Sequence, residues 1–345
     1  MTRIAIIGSG ANGASIGADL TSAGLDVTLV EQWPAHVEAM RADGLRINLP
    51  DRSDVHAVRT IHLCEVATLR ERFDVVLVLV KAYDTRWAAE LMKPMLADDG
   101  LMVGVQNGMT LDAVADVVGP DRTVGCVIEI SSMMFEPGVI ERHSGRDRSW
   151  FAVGGETAAT AARAEHVAEI LRHAGSVEVV GQIRAAKWMK LVSNATTLVT
   201  TAILGLPMLD AAAIPEMRAL MLRSGREALE AGRAQGLSPL PIFGLTQHDL
   251  DAADDIVETL LDTLLAGFVI STTKTTILQD WMKGRRSEVD DINGRVAAVM
   301  REHGLSAPVN EAVVELAHAI ESGELAPGPD NLSLLLDRSG RPLNA

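Results

Sequence analysis

The sequence predicts an α/β fold: a doubly wound parallel sheet followed by an all-helical domain. Three observations carry that expectation. A glycine-punctuated strand–helix–strand unit opens the chain. Strand-length apolar runs then alternate with helical periods up to about residue 181, and strand signal nearly vanishes from Ile183 onward. The predicted domains are residues 1-181 and 182-345, and 345 residues exceed what one hydrophobic core usually serves.

The opening unit is read first. Arg3 to Ile7 is a short apolar run, followed by Gly8-Ser9-Gly10-Ala11-Asn12-Gly13, a small-residue helix over Ala14 to Ala23, and a second apolar run from Val27 to Val30 closed by Glu31. A bare G-x-G-x-x-G is common. Between a strand and a helix it is a Rossmann dinucleotide signature: Gly8 permits the turn, Gly10 admits the pyrophosphate, and Gly13 lets the helix lie on the strand. The helix N-terminus, with Ser9, Ala11 and Asn12 around it, offers unpaired N–H groups to phosphate. Glu31 lies about twenty residues past the glycines, where an acid accepts hydrogen bonds from ribose hydroxyls and repels a 2′-phosphate. NAD is expected over NADP, although Arg41 or Arg46 could still serve a phosphate.

The remaining elements follow in order. Pro34 to Asp43 reads as a helix, and Leu45 to Leu49 and Val55 to Thr60 as strands around a Pro50-Asp51-Arg52 turn. Phe73 to Val80 is continuously apolar and rich in valine, the mark of a strand buried on both faces of a parallel sheet. Helix Ala82 to Ala97, strand Leu101 to Gln106, helix Leu111 to Val118 and strand Thr123 to Ile130 continue the alternation. Strands are expected within Ser131 to Ser144 and over Ser149 to Gly154, then a helix Ala158 to Ala174 and a strand Val177 to Val180. Helical periods then run over Ala185–Leu204, Ile214–Gln235, Asp249–Leu265, Thr275–Met282, Glu288–His303 and Asn310–Ser322, with a loop from Pro327.

Composition narrows the function. Hydrophobic residues make up 48% and the formal net charge is −15, which argues against nucleic acid and anionic membranes. Aromatic residues are 3%, too few for base-stacking surfaces. Cys64 and Cys126 have no metal-ligand spacing, so no metal is expected. The N-terminal apolar run is too short for a signal peptide and no stretch suggests a membrane span, so the reading is a cytosolic protein with a small-molecule substrate. A long helical half rich in Leu, Met and Ala suits a homodimer.

In a doubly wound sheet, ligands sit at the carboxyl ends of the strands. Lys81 follows one strand and reads either as a cofactor contact or as a solvated charge. Asn107-Gly108 ends the next, and reads as a ribose contact or a simple turn. Glu129 to Ser132 end another, with the loop reading favoured. A nicotinamide moves only hydride, so the helical half must supply a proton donor. Lys190 and Asn194 share a helix face, being four apart. A lysine in an apolar helix is costly unless paired or functional, and burial suits it to acid–base work. Lys187 competes for that role, and either lysine could instead lie on a solvated face. Ser287 with Asp290 reads as a capping-box start, placing Glu288 in a first helical turn, while Arg285 and Arg286 read as solvated.

Taken together, Gly8-x-Gly10-Ala11-x-Gly13, Val80-Lys81, Gln106-Asn107-Gly108, Lys190-Leu191-x-x-Asn194, Leu278-Gln279-Asp280 and Gly284-Arg285-Arg286-Ser287-Glu288-Val289-Asp290-x-Ile292-Asn293-Gly294 resemble the ketopantoate reductase family over nearly the whole chain. The resemblance implies a helical domain of the 6-phosphogluconate dehydrogenase C-terminal type, with the active site in the cleft between the domains. It implies Lys190 as proton donor and Asn194 as a substrate-binding amide. Thr276 stands at a substrate-binding serine position, Glu288 matches an acid serving cofactor and lysine, and Lys81 and Asn107 match cofactor contacts.

Three positions depart from the family pattern. Leu198 replaces a second asparagine, Thr276 replaces the serine, and Glu31 replaces an NADP-selecting basic residue. The expected function is therefore hydride transfer between NAD, or less readily NADP, and a small 2-oxo acid/2-hydroxy acid or related alcohol. A catabolic NAD-dependent dehydrogenase of the same fold is the alternative, with an opine-type imine-forming enzyme more distant. A non-catalytic NAD-sensing module is the alternative of another class.

Overall fold

The computed structural model describes residues 2–340, and the chain divides into two compact units, Met1–Lys187 and Trp188–Ala345. In the first unit the order is β1 (Arg3–Ile7), α1 (Ala11–Ser22), β2 (Asp26–Glu31), α2 (Pro34–Asp43), β3 (Leu45–Asn48), β4 (Ser53–His56), β5 (Arg59–His62), β6 (Phe73–Val78), α3 (Thr85–Met92), β7 (Leu96–Gly104), α4 (Leu111–Val118) and β8 (Thr123–Glu129). Then come β9 (Ser132–Glu136), β10 (Val139–Arg142), β11 (Trp150–Gly155), α5 (Ala158–Ala161), α6 (Ala164–Leu171) and β12 (Ser176–Val179). The main sheet has eight strands in the order β12-β11-β8-β7-β6-β1-β2-β5.

The apolar runs explain why β1 and β6 are central. Along β1, Ile4 and Ile6 join the core formed with Ile16 and Leu20 of α1, while Ala5 and Ile7 join the core formed with Ala88 of α3 and Val114 of α4. In β6, Val75 and Leu77 go to the first core and Val76 and Val78 to the second. A strand has period two, so a continuous apolar run serves both faces at once. The parallel register sets Ile6 opposite Leu29 of β2 and Leu77 of β6. Beyond β8 the sheet turns: β11 is antiparallel to β8, and β12 is parallel to β11.

A four-stranded second sheet, β4-β3-β10-β9, is an addition to the expected plan. The expected strand Val55–Thr60 splits because its two halves have different partners. The Pro50–Arg52 turn folds β4 back antiparallel on β3, while Thr60 of β5 pairs with Leu29 of β2 in the main sheet. A buried ion pair ties this second sheet to α1, Arg142 Nη1 to Asp19 Oδ2 at 2.5 Å. The expected helix Ala82–Ala97 is also shorter, since β7 already starts at Leu96.

The first helix of the second half, α7 (Ile183–Ile203), runs across the division between the units. Residues 185–197 are all buried, Lys187, Lys190 and Asn194 included, so neither lysine lies on a solvated face. Its buried threonines satisfy themselves: Thr196, Thr197, Thr200 and Thr201 each donate to the carbonyl four residues back. Trp188 packs against Gly232 of helix Pro215–Ala234, where an added Cβ would stand 2.4 Å from the indole nitrogen.

Three expectations are corrected in the second unit. The helix expected over Asp249–Leu265 is two, Gln247–Asp251 and Ile256–Gly267, because Asp255 takes the N-cap role and accepts from Val257 N at 2.9 Å. The helix expected from Glu288 begins at Asn293, after a turn in which Ile292 has φ −108° and ψ −89°. The tail from Pro327 is not all loop: Asn331–Arg338 is a helix, fastened by Asn331 Nδ2 to Ile203 O at 3.0 Å and by the buried Leu335.

Candidate functional site

The glycine loop is shaped by close approaches. Gly8 has φ 92° and lies so near β6 that a Cβ would stand 2.5 Å from Val80 N. At Gly13 a Cβ would stand 2.1 Å from the carbonyl oxygen of Gly8, so the helix can start here only without a side chain. At Gly10 nothing lies within 4 Å of an added Cβ. No side chain caps α1 and its first turn holds no acid, so its N–H groups suit an anion. This cradle fits a dinucleotide pyrophosphate.

The loop is braced from outside. His36 Nε2 contacts the carbonyl of Ser9 at 3.0 Å, and its Nδ1 accepts the N–H of Gly138 at 2.8 Å. Since a backbone N–H can only donate, Nδ1 is unprotonated and Nε2 carries the hydrogen given to Ser9. The ring is wholly buried, and burial holds its pKa below the ordinary imidazole value against the Ser9 hydrogen bond. Ser132 Oγ, in the strand-end segment that sequence reasoning favoured as loop, donates to Asn12 Oδ1 at 2.6 Å.

Glu31 is buried at the end of β2. It is 5% exposed, and its Oε1 accepts the N–H groups of Gln32 and Trp33, each at 2.9 Å. Its carboxylate is thereby oriented by the backbone of the following turn. A mostly apolar crevice of about 440 Å³, lined by Gln32, Pro34, His62, Cys64 and Trp87 among others, opens after it. Arg41, the alternative phosphate group, is engaged elsewhere, with Thr60 O and Glu65.

Strands β7, β6, β1 and β2 are adjacent and parallel, so Asn107, Lys81, the glycine loop and Glu31 all follow the same edge of the sheet. Gln106 braces the Asn107 segment: its Nε2 donates to Thr85 Oγ1 at 2.8 Å, and its Oε1 accepts from Thr110 Oγ1 at 3.2 Å. Its carbonyl takes the amine of Lys187 at 2.9 Å, and Lys187 also donates to Cys126 O at 3.2 Å. Lys187 is 2% exposed, and burial brings its pKa down to about 8. Its amine is held by these two backbone carbonyls. Burial pushes the nearby Cys126 thiol up to about 12, so it is an inert packing group.

In the second unit, Lys190 is 8% exposed and Asn194 1%, one turn apart on α7. Lys190 Nζ lies 4.9 Å from the centroid of the Phe243 ring. Leu198, a further turn along, is the half-buried position in an otherwise buried stretch of this helix. Thr276 opens helix Thr276–Met282, whose N-cap is Thr275, and the Thr276 Oγ1 is buried without a hydrogen-bond partner.

Glu288 is 4% exposed and lies in the turn before helix Asn293–Glu302, which corrects its expected place in a first helical turn. The expected capping box is also absent, because Ser287 Oγ turns instead to Glu321 Oε1 at 2.5 Å. Desolvation, then the neighbouring Glu288, raises Asp291 to about 6. Arg286 pairs with Asp290 at 3.2 Å. Behind these, Asn293 Nδ2 donates to Asn310 Oδ1 at 2.8 Å and to Ala195 O at 3.3 Å, next in chain to Asn194.

Sequence reasoning missed His36 and Phe243, whose roles depend on contacts distant in sequence. Only the Phe243-Gly244 dipeptide carried a turn signal. Among the described residues no cluster of His, Cys, Asp and Glu is arranged to hold a metal, and no helix is long and apolar enough to cross a membrane.

Comparison with known proteins bears on what binds here. The family model described as Ketopantoate reductase PanE/ApbA matches residues 4–156, and its C-terminal counterpart matches residues 182–321. A 2-dehydropantoate 2-reductase of Archaeoglobus fulgidus is 27% identical over 327 residues, covering 93% of this chain and 98% of that protein. One from Mesorhizobium japonicum is also 27% identical, over 93% and 99%. Among solved structures, a PanE/ApbA family ketopantoate reductase from Ralstonia eutropha superposes with a TM-score of 0.77 at 27% identity, over 94% of this chain and 99% of that one. D-mandelate dehydrogenase with NADH and anilino(oxo)acetate gives 0.82 at 19% identity, over 93% and 99%, a likeness of fold.

Proposed function

Because the chain belongs to the ketopantoate reductase family, we propose that it reduces a small 2-oxo acid to the 2-hydroxy acid with Lys190 as proton donor. The family's activity is hydride transfer with a nicotinamide cofactor on CH–OH groups. The observation that carries the residue assignment is a buried lysine, one helical turn from a buried asparagine, on a helix whose other buried lysine, Lys187, is bonded to two backbone carbonyls.

The cofactor supplies the hydride, which this chain's side chains cannot. The glycine loop and the N-terminus of α1 hold its pyrophosphate, Glu31 its adenosine ribose, and the crevice beyond Gln32 its adenine. Lys81 and Asn107 hold the cofactor farther along the same sheet edge. Lys190 delivers a proton to the developing alkoxide oxygen. Asn194 and Thr276 orient the substrate, the latter with a hydroxyl that has no protein partner. Glu288 supports Lys190 and the cofactor ribose.

We read the cofactor as NAD. The support is a carboxylate held in place by two backbone N–H groups, where a 2′-phosphate would meet its charge. A catabolic dehydrogenase working toward oxidation is the second reading, favoured by Glu31 and by Leu198 in place of an amide. A cytosolic homodimer completes the proposal. The test follows reduced-cofactor absorbance with NADH and NADPH against a 2-oxo acid panel including ketopantoate, and with NAD and NADP against the corresponding hydroxy acids. Turnover of no 2-oxo or 2-hydroxy acid would overturn it; preference for NADPH would overturn the cofactor assignment alone.

A further inference from the structure

Phe243 occupies a backbone position that a bulky side chain rarely takes. Its φ is 62°, and among the described residues it is the only non-glycine with a positive φ. Gly244 follows with φ 79°, and Leu245 N donates to Ile242 O at 3.2 Å. Two positive φ values inside an i to i+3 hydrogen bond are the type I′ turn pattern, whose first central position normally takes Asn, Asp or Gly. An aromatic side chain there is strained, and such strain persists only where the surroundings over-determine it.

The surroundings are specific. The flanking Ile242 is wholly buried, and Phe243 itself is 7% exposed. Its ring meets Phe268 at a centroid distance of 5.5 Å and an interplanar angle of 47°, which fixes its tilt. Lys190 Nζ lies over the ring at 4.9 Å from the centroid. An aromatic face carries partial negative charge and attracts an ammonium, most strongly where water is excluded. Lys190 is itself 8% exposed.

We propose that Phe243 is a positioning residue for Lys190: the turn Ile242–Leu245 holds an aromatic face against the lysine's ammonium and so sets where its proton is delivered. This rests on Lys190 being the proton donor. Bulk alone is not enough in this account. Leucine at position 243 keeps an apolar side chain under the same backbone strain but has no π face; tyrosine keeps the face.

The test measures kcat on the best 2-oxo acid substrate, together with cofactor affinity and the thermal midpoint, for wild type, Phe243→Leu, Phe243→Tyr and Lys190→Ala. Phe243→Leu is expected to lower kcat roughly tenfold, within the range of a desolvated cation–π contact. Its cofactor affinity stays within about twofold, and Phe243→Tyr retains kcat within about threefold on the same grounds. Wild-type kcat in Phe243→Leu, or equal losses in Leu and Tyr, overturns the inference. A thermal midpoint that falls in step with kcat across the variants also overturns it, since a purely structural role predicts that. Undiminished turnover in Lys190→Ala would overturn the donor assignment and this inference together, whereas a slow Lys190→Ala beside a normal Phe243→Leu removes only the inference.

Discussion

Lys187 gives its amine to the carbonyl of Gln106 at 2.9 Å, one residue before Asn107. A second bond reaches Cys126 O in β8. One buried side chain thereby ties β8 and the segment that follows β7 to the start of α7. The pinning group has a depressed pKa, about 8 in the fold against 10.5 for an ordinary lysine. Between those values the unfolded chain binds more protons than the native one, so Lys187 adds stability as pH rises through that window and costs most below it. Lys187→Met removes the titration. The stability of wild type minus that of Lys187→Met should therefore rise from pH 7.5 to pH 10, by up to about 1.4 kcal/mol per pH unit. Urea midpoints of both proteins at the two pH values check this, and an unchanged or falling difference, taken with its sign, counts against it.

Lys190→Ala should lower kcat by about 100- to 10,000-fold, the usual loss of a positioned general acid. Cofactor affinity should change little, because the glycine loop and Glu31 are untouched. Single-turnover rates under saturating cofactor make the comparison, and near-wild-type rates would refute the donor role.

His36 couples the glycine loop to acid. Its pKa is lowered by burial, so the native ring stays neutral while the unfolded chain takes up a proton. Stability is complete above the ordinary imidazole value and is lost as pH falls from there toward the native value, at up to about 1.4 kcal/mol per pH unit. Protonation would also set an N–H against the N–H of Gly138. His36→Gln can still offer an N–H to Ser9 but cannot titrate. On acidification from pH 7 to pH 5, the thermal midpoint of wild type should fall farther than that of His36→Gln; parallel curves would exclude His36 as the cause.

Glu31→Gln separates the charge at the end of β2 from its geometry. The amide oxygen can keep accepting from Gln32 and Trp33, which Glu31 now does at 2.9 Å, so the turn should hold. Discrimination against NADPH should fall by roughly tenfold, comparable to losing one charge contact of about 1.4 kcal/mol. Fluorescence titration with NADH and NADPH reads the ratio, and an unchanged ratio would remove Glu31 from cofactor selection.

How much of this could be read beforehand depends on the range of the interactions. The unit from Arg3 to Glu31 is largely local: Gly13 answers the carbonyl of Gly8 within the same strand–turn–helix, and the apolar runs of β1 and β6 announce burial on both faces, although Gly8 is also crowded by the distant Val80. Lys190 and Asn194 likewise share a face because of helical periodicity alone. Glu288 was misplaced because a capping-box pattern is a local signal, and Ser287 is drawn instead to Glu321, thirty-four residues away. The helix Asn331–Arg338 was hidden by the prolines and glycines before it, and is held by a carbonyl on α7.

By itself, the sequence determined the dinucleotide loop, the acid after β2, the alternating α/β half and the helical half. These follow from backbone sterics, period and burial, which act over a few residues. Only the tertiary structure decided the surroundings of the two lysines of α7. Each sits in the same apolar helix, yet Lys187 meets two backbone carbonyls and Lys190 an aromatic face. Which partner a buried amine finds depends on strands and turns remote in sequence, and no local pattern encodes that encounter.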